Sequence, residues 1–357
     1  MQLPEPCRVA VDRGDGPDPA GAAQRREGRW LFHAGIRRLD AASRQARGCD
    51  RTVARGLAPA PGLDFGRGSQ GGYAMLTEAR AFTTEDMEYL RHGARGLTMR
   101  FFRPAGTGPF PAVIDMHGGG WCNGGIDESV DRCAVFAEAG IAAAALDFRH
   151  ADDGYPTSLA DINYAVRWVK ANAARLGVDP ARVALCGQSS GGHLAMLAAM
   201  RPDDPRYAAA PLPAGAPEVD ASVVCVGMSW PVINPISRYR HALRARTEDA
   251  KWVGDLPERH QRYWKTEDAM IEGSPVRILE RAEPVRTPPA IWVQPKNDPV
   301  HDYRDSESPV ALNEPQRFCE SYRAAGGEIE LVYIDKEGRE GPPSYDPLAA
   351  FFRAHLG

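Results

Sequence analysis

His117-Gly118-Gly119-Gly120-Trp121 and, further along, Gly187-Gln188-Ser189-Ser190-Gly191-Gly192 decide how this chain is read. The second stretch fits G-x-S-x-G, in which a serine sits on a sharp strand-to-helix turn with its hydroxyl pushed clear of the sheet. Ser189 is therefore the candidate nucleophile. A serine hydroxyl is barely nucleophilic at neutral pH, so it needs exposure and a neighbouring base. Glycines two before and two after it are expected because so tight a turn leaves no room for side chains. A phosphate loop would use glycines similarly, but no Lys-Ser or Lys-Thr follows. The first stretch is a run that presents backbone N–H groups to a developing oxyanion. The amides of Gly119 and Gly120, with that of Ser190 at the positive end of its helix, are the candidate donors.

Outward from these turns the pattern is that of strands alternating with helices. Leu97–Arg103 alternates like an early strand, and Pro111–Met116 runs straight into the first glycine turn. Asp127–Ala139 is expected to be helical, Ile141–Phe148 a buried strand and Ser158–Leu176 an amphipathic helix. Arg182–Cys186 is the strand before the serine and Gly191–Met200 the helix after it. Ala221–Met228 and Ala290–Gln294 are apolar runs, Pro315–Ala325 a helix, Ile329–Ile334 the last strand and Pro347–His355 the last helix. This order implies an α/β fold with a mostly parallel central sheet and helices on both faces.

Between Met228 and Ala290 the chain is far longer than a plain crossover needs. The segment at about 230–286 is expected to be a cap insertion over the carboxyl ends of the strands, where open α/β sheets bind ligands. Its aromatic residues Trp230, Trp252, Tyr263 and Trp264 serve either as packing within that cap or as contacts to an aromatic substrate group.

Composition bounds the remaining possibilities. Residues 1–75 are rich in Gly, Pro, Ala and Arg, with few aliphatics and no sustained periodicity beyond one short helix around Trp30–Arg44. Such a stretch cannot bury enough apolar surface to offset the entropy of ordering it. It reads as a disordered N-terminal extension, or as translation from an early start with Met75 as the native one; residues 76–357 form the folded domain. A net charge of −4 gives no reason to expect nucleic acid as a partner, and no apolar run reaches the length of a membrane span. The seven cysteines show no CxxC and no regular spacing, so neither a zinc site nor a disulfide framework is expected. Free thiols suit a reducing compartment, and a cytoplasmic location is the expectation.

Asp147-Phe148-Arg149-His150-Ala151, the helix bearing Tyr164, Arg167 and Trp168, and Leu176-Gly177-Val178-Asp179-Pro180 complete a set of motifs around the two glycine turns. With them the chain resembles the α/β-hydrolase superfamily, in particular the hormone-sensitive-lipase and feruloyl-esterase-like carboxylesterases. The resemblance covers residues 95–200 well and 285–355 moderately. It implies a Ser–Asp–His triad in that chain order and hydrolysis of small or short-chain carboxylic esters through an acyl-enzyme, with no cofactor and no metal. The partner it implies is a small-molecule ester substrate.

The resemblance carries the acid onto Asp298, in Lys296-Asn297-Asp298-Pro299-Val300 after the strand Ala290–Gln294, with Asp302 in reserve. It does not carry a histidine. Arg339 stands where the family has its base, and an arginine stays protonated at physiological pH. His301 keeps the order Ser, Asp, His and is the candidate base, provided that its loop folds back toward Ser189. His241 and His260, in the insertion, are expected at solvated surface positions, and His355 is structural or exposed. His117 is expected to orient its own loop and His193 to pack behind the nucleophile. Two other functions stay open: a silent small-molecule binder that has lost its base, and an amidase or peptidase on the same fold.

Overall fold

The computed structural model describes residues 81–335 and 341–357. Strand β1 (Phe82–His92) comes first, followed by β2 (Arg95–Pro104), β3 (Phe110–Met116), α1 (Val130–Glu138), β4 (Ala142–Leu146), α2 (Thr157–Ala171) and α3 (Ala173–Leu176). Then come β5 (Val178–Gln188), α4 (Ser190–Met200), β6 (Val226–Ser229), α5 (Pro235–Thr247), α6 (Leu256–Trp264), α7 (Glu267–Glu272) and α8 (Pro275–Glu280). Strand β7 (Ala290–Pro295), α9 (Glu314–Ala324), β8 (Ile329–Ile334) and α10 (Pro342–Leu356) complete the chain. Among the described residues the strands form one eight-stranded sheet in the order β1-β2-β4-β3-β5-β6-β7-β8. The pairs β1–β2 and β2–β4 are antiparallel, and every pair from β4 through β3 to β8 is parallel.

Side-chain alternation divides the core between the two faces of this sheet. Val113, Ala143, Ala145, Ala184, Cys186, Ile291 and Val293 pack under α1 and α10. There Phe136 and Phe352 meet edge to face, with centroids 5.3 Å apart. Their neighbours Ile114, Ala144, Leu146, Leu185 and Trp292 point the other way, into the core shared with α2, α4 and α9. A strand buried on both faces reads as a continuous apolar run, and the central ones are legible in the sequence for that reason. Strand β1 escapes such a reading: it is an edge strand whose only buried side chains are Met87 and Tyr89.

Several expected elements differ in extent. The apolar run Ala221–Met228 becomes strand only from Val226, where the ladders to β5 and β7 both begin. The helix expected over Ser158–Leu176 is interrupted at Asn172 and ends before Gly177, which has φ +68°. The strand before the serine starts at Val178 and reaches Gln188, beyond the expected Arg182–Cys186. The last helix begins at Pro342 and carries Pro347 in its second turn. A proline reads most naturally as the first residue of a helix, so the sequence pointed to Pro347 as the start. The helix expected around Trp30–Arg44, the extension 1–75 and Arg339 lie outside the described residues. Among the described residues no helix is long and apolar enough to cross a membrane.

One buried ion pair ties the sheet to α1. Asp115 of β3 and Arg132 of α1 are both inaccessible to solvent, with Arg132 Nε 2.9 Å from Asp115 Oδ1. Arg132 Nη1 also donates to Gln188 Oε1 at 2.8 Å, one residue before Ser189. Removing one member of such a pair strands a buried charge, whereas removing both need not destabilise. Arg132→Met is accordingly expected to lower unfolding free energy by about 3–5 kcal/mol, with much of the loss recovered by adding Asp115→Leu. Urea titration of both variants reads this; a double variant no better than the single would refute the stranded charge as the cause.

Candidate active site

The register aligns Met116, Gly187, Met228 and Trp292 across β3, β5, β6 and β7, so the loops after these strands open on one edge of the sheet. Ser189 stands between β5 and α4 with φ 52° and ψ −116°, a conformation that L-residues rarely adopt and that stores about 1–3 kcal/mol. The turn is held from three sides. Ser189 N donates to Ser229 O at 2.9 Å, while Ser189 O accepts from His193 N and Val232 N, each at 3.1 Å. A Cβ on Gly187 would stand 2.4 Å from the Gly191 backbone, and one on Gly191 would stand 2.3 Å from the carbonyl oxygens of Met116 and His117. Neither position has room for a side chain, which is the physical content of the G-x-S-x-G spacing.

The loop between β7 and α9 carries the two other candidates. Asp302 N donates to Asp298 O at 2.8 Å and His301 N to the same oxygen at 3.3 Å, making a tight turn just past the strand. That turn aims His301 back across the sheet edge. His301 Nε2 lies 3.0 Å from Ser189 Oγ, and its Nδ1 lies 2.9 Å from Asp298 Oδ2. Asp298 Oδ1 also accepts from Val300 N at 3.0 Å, which fixes the carboxylate. Both side chains are buried, Asp298 at 2% and His301 at 5% exposure. Asp302 faces elsewhere and accepts from Asn313 Nδ2 at 2.5 Å.

The glycine turn after β3 faces the same space. Gly119 has φ +103°, and a Cβ there would fall 1.9 Å from Asn123 O, so only glycine fits. Among the described residues none of the N–H groups of Gly119, Gly120 and Ser190 has an acceptor. Gly119, Gly120, Ser189 and His301 share the lining of one pocket of about 280 Å³ with Arg238, Trp252–Leu256 and Arg259. These last residues belong to the segment between β6 and β7, which holds the helices α5 to α8.

The other histidines singled out in the sequence lie elsewhere. His117 stacks on Phe148 with centroids 4.5 Å apart, and its Nδ1 bonds Gly118 O at 2.9 Å. Burial pushes its pKa down to about 4. His193 accepts from Trp121 Nε1 at 3.2 Å and donates through Nε2 to Gly273 O at 2.7 Å, a pattern that requires the neutral ring. Burial pushes it, too, down to about 4. His260 corrects the surface expectation: it is wholly buried, edge-on to Trp121 at 5.0 Å, and burial pushes it down to about 3. His241 is half-buried rather than solvated, stacked on Tyr303 at 4.0 Å with Nε2 bonded to Pro299 O at 3.0 Å. Aromatic partners, which hydropathy patterns do not reveal, account for both corrections. His355 is exposed on α10.

The aromatic residues of the insertion divide similarly. Trp230, Tyr263 and Trp264 are buried packing, whereas Trp252 reaches the pocket. Arg238 and Arg259 were not legible as pocket residues, because arginines spaced along polar helices read as a solvated face. Among the described residues no group of three or more His, Cys, Asp or Glu side chains is placed to hold a metal ion.

A buried carboxylate anchors the start of α5. Asn234 caps that helix and donates to both oxygens of Glu314 at 3.2 and 3.1 Å; Ser237 Oγ donates to Glu314 Oε1 at 3.1 Å. Arg317 Nη1 stands 3.2 Å from the same oxygen. Burial pushes the Glu314 carboxyl up to about 7, against the opposing pull of Arg317 and the Asn234 bond. The folded state therefore keeps a proton that the unfolded chain releases above about pH 4.3, and the stability due to this group falls as pH rises from there to about 7. Glutamine does not titrate. The stability of Glu314→Gln relative to the parent is expected to rise by about 2–3 kcal/mol between pH 5 and pH 8 in urea titrations. A difference that stays constant over that range would rule out the buried proton.

Comparison with known proteins fits this architecture. Esterase LipC of Mycobacterium tuberculosis (strain ATCC 25618 / H37Rv) is 30% identical over 239 residues, covering 65% of this chain and 53% of LipC. Carboxylesterase NlhH of the same strain is 40% identical over 103 residues, covering 28% of this chain and 32% of NlhH. The chain thus spans about half of the one relative and a third of the other. Among solved structures, a hyperthermophilic esterase from Pyrobaculum calidifontis superposes with a TM-score of 0.58 at 22% identity, covering 79% of this chain and 88% of that one. A thermostable esterase from Pseudomonas putida ECU1011 gives 0.59 at 20% identity, covering 80% and 85%. At these identities the superpositions speak to the fold. The profile of the BD-FAE family matches residues 100–309, more than half of the sequence, and the chain belongs to that family within the α/β-hydrolase superfamily.

Proposed function

We propose that this chain is a serine carboxylesterase that hydrolyses small or short-chain carboxylic esters through an acyl-enzyme on Ser189. The observation that carries the proposal is the continuous contact from Ser189 Oγ to His301 Nε2 at 3.0 Å and from His301 Nδ1 to Asp298 Oδ2 at 2.9 Å. In this reading Ser189 Oγ attacks the ester carbonyl while His301 Nε2 takes its proton, and Asp298 steadies the imidazolium that forms. The N–H groups of Gly119, Gly120 and Ser190 bind the oxyanion. His301 then returns the proton to the departing alcohol. Water, deprotonated by the same nitrogen, releases the acid and restores the serine. A pocket of about 280 Å³ suits a short acyl or alcohol group, with α5 to α8 as its cap. Carboxylesterase names among the relatives agree with this chemistry. The five described cysteines are all free thiols, which suits a cytoplasmic enzyme.

The silent-binder reading draws on Arg339, and the contact between His301 and Ser189 weighs against it. The test is turnover of p-nitrophenyl acetate and butyrate together with labelling by a fluorophosphonate, mapped by peptide mass. Hydrolysis with the label on Ser189 is expected. A folded protein that neither turns over these esters nor takes the label would overturn the proposal.

A further inference from the structure

His301 follows Asp298 by only three residues, so the contact between their side chains is made within one turn of the chain. The contact of His301 with Ser189 is of another kind, because it joins that turn to the end of β5 across the sheet edge. A small shift of the whole turn would leave the first contact intact and break the second. What grips the turn from outside therefore bears on the chemistry, and α5 provides such a grip. His241 Nε2 lies 3.0 Å from Pro299 O, directly after Asp298 in the chain. A carbonyl oxygen only accepts, so the ring carries a proton on Nε2 and donates it there. Burial pushes the pKa of His241 down, which keeps the ring neutral near pH 7. The same ring stacks on Tyr303, two residues beyond His301, with centroids 4.0 Å apart and planes 5° from parallel. Tyr303 is itself fixed to α5, since its hydroxyl donates at 3.2 Å to the Oγ of Ser237, one helical turn before His241. His241 also stacks on Trp252, a residue that lines the pocket over Ser189, at 5.0 Å.

Resting on the esterase reading, we infer that His241 is a positioning residue for that reaction. It grips the turn on both sides of His301, at Pro299 and at Tyr303, and so keeps the His301 ring within proton-transfer reach of Ser189. A stacked ring tolerates an offset, whereas a hydrogen bond weakens steeply once it is stretched or bent. The bond to Pro299 O is therefore the part of the grip that sets the distance.

Three substitutions test the inference. His241→Phe keeps a stacking ring and loses the donor. His241→Gln loses the ring but carries an amide N–H at about the reach of Nε2, and His241→Asn carries one that falls short of Pro299 O. The readouts are kcat and KM for p-nitrophenyl butyrate, and the second-order rate constant for labelling of Ser189 by a fluorophosphonate. That constant reports how reactive the competent serines are, whereas a loss of folded protein lowers only the extent of labelling. His241→Phe and His241→Asn are expected to lower kcat and the labelling constant together by about 10–100-fold, with KM within about threefold of the parent and labelling still complete. His241→Gln should return both rates to within about fivefold of the parent. A labelling constant unchanged in His241→Phe, or a glutamine variant no faster than the phenylalanine one, would overturn the inference and leave the esterase standing. So would a reduced extent of labelling at an unchanged rate constant, which would make His241 a support of stability alone. A rise in KM at constant kcat would also overturn it and assign His241 to the Trp252 wall of the pocket. No turnover and no label in the parent protein would remove the esterase reading and this inference with it.

Discussion

Ser189→Ala and His301→Ala are each expected to lower kcat for p-nitrophenyl butyrate by about 10⁴–10⁶-fold, with the double variant hardly worse than either single one. The reason lies in the dependence of each group on the other. Without His301 the Ser189 hydroxyl keeps its proton and is a poor nucleophile. Without Ser189 the imidazole has nothing to deprotonate but water. Groups that act as a unit lose nearly all their effect when one is removed, so the two losses do not add. What remains should be the contribution of the Gly119, Gly120 and Ser190 amides, which neither substitution touches. Steady-state kinetics on the three variants, each checked for a native unfolding transition, provide the measurement. Activity surviving in His301→Ala but not in Ser189→Ala would require a different base. Of the histidines discussed, His301 is the one bonded to Ser189 Oγ; His193 has both ring nitrogens engaged, by Trp121 Nε1 and Gly273 O, and His260 packs edge-on against Trp121.

Asp298→Asn is expected to lower kcat by about 10⁴-fold while KM changes little. The carboxylate bonds His301 Nδ1 at 2.9 Å, so the proton sits on Nδ1 and the lone pair of Nε2 faces Ser189. An asparagine turned to donate its amide hydrogen there would favour the opposite tautomer and remove the charge that offsets the imidazolium. Asp298 does not line the pocket over Ser189, hence the small effect expected on KM. Asp302→Asn provides the contrast. That side chain pairs with Asn313 and faces away from the histidine, so its loss should stay within about tenfold. Equal losses in the two variants would mean that the loop acts through its shape and not through the Asp298 carboxylate.

How much of this was legible beforehand differs from residue to residue. The elbow at Ser189 and the glycine turn at Gly119 are written in contiguous sequence, since the prohibition on side chains comes from backbone atoms a few residues away or on the adjacent strand. The buried strands announce themselves by apolar runs. Strand β1 does not, because a polar edge strand need show no pattern. His301 keeps the chain order Ser, Asp, His, but position alone gives no reason for its ring to reach Ser189. That reason is the hydrogen-bonded turn from Asp298 to Asp302. His260 is not legible as a buried residue because a lone histidine between charged residues reads as solvated, whereas its ring packs against Trp121 and Tyr239.

By itself, then, the sequence determined the α/β layering, the strand-to-helix turn at Ser189 and the glycine turn at Gly119, since each depends on local backbone geometry or on a short-range periodicity. Only the tertiary structure decided which histidine meets Ser189, and that Arg238 and Arg259 stand over it. Those contacts join β5, the loop after β7 and two helices inserted between β6 and β7. Such distances are fixed by the packing of the whole sheet edge and not by any spacing along the chain.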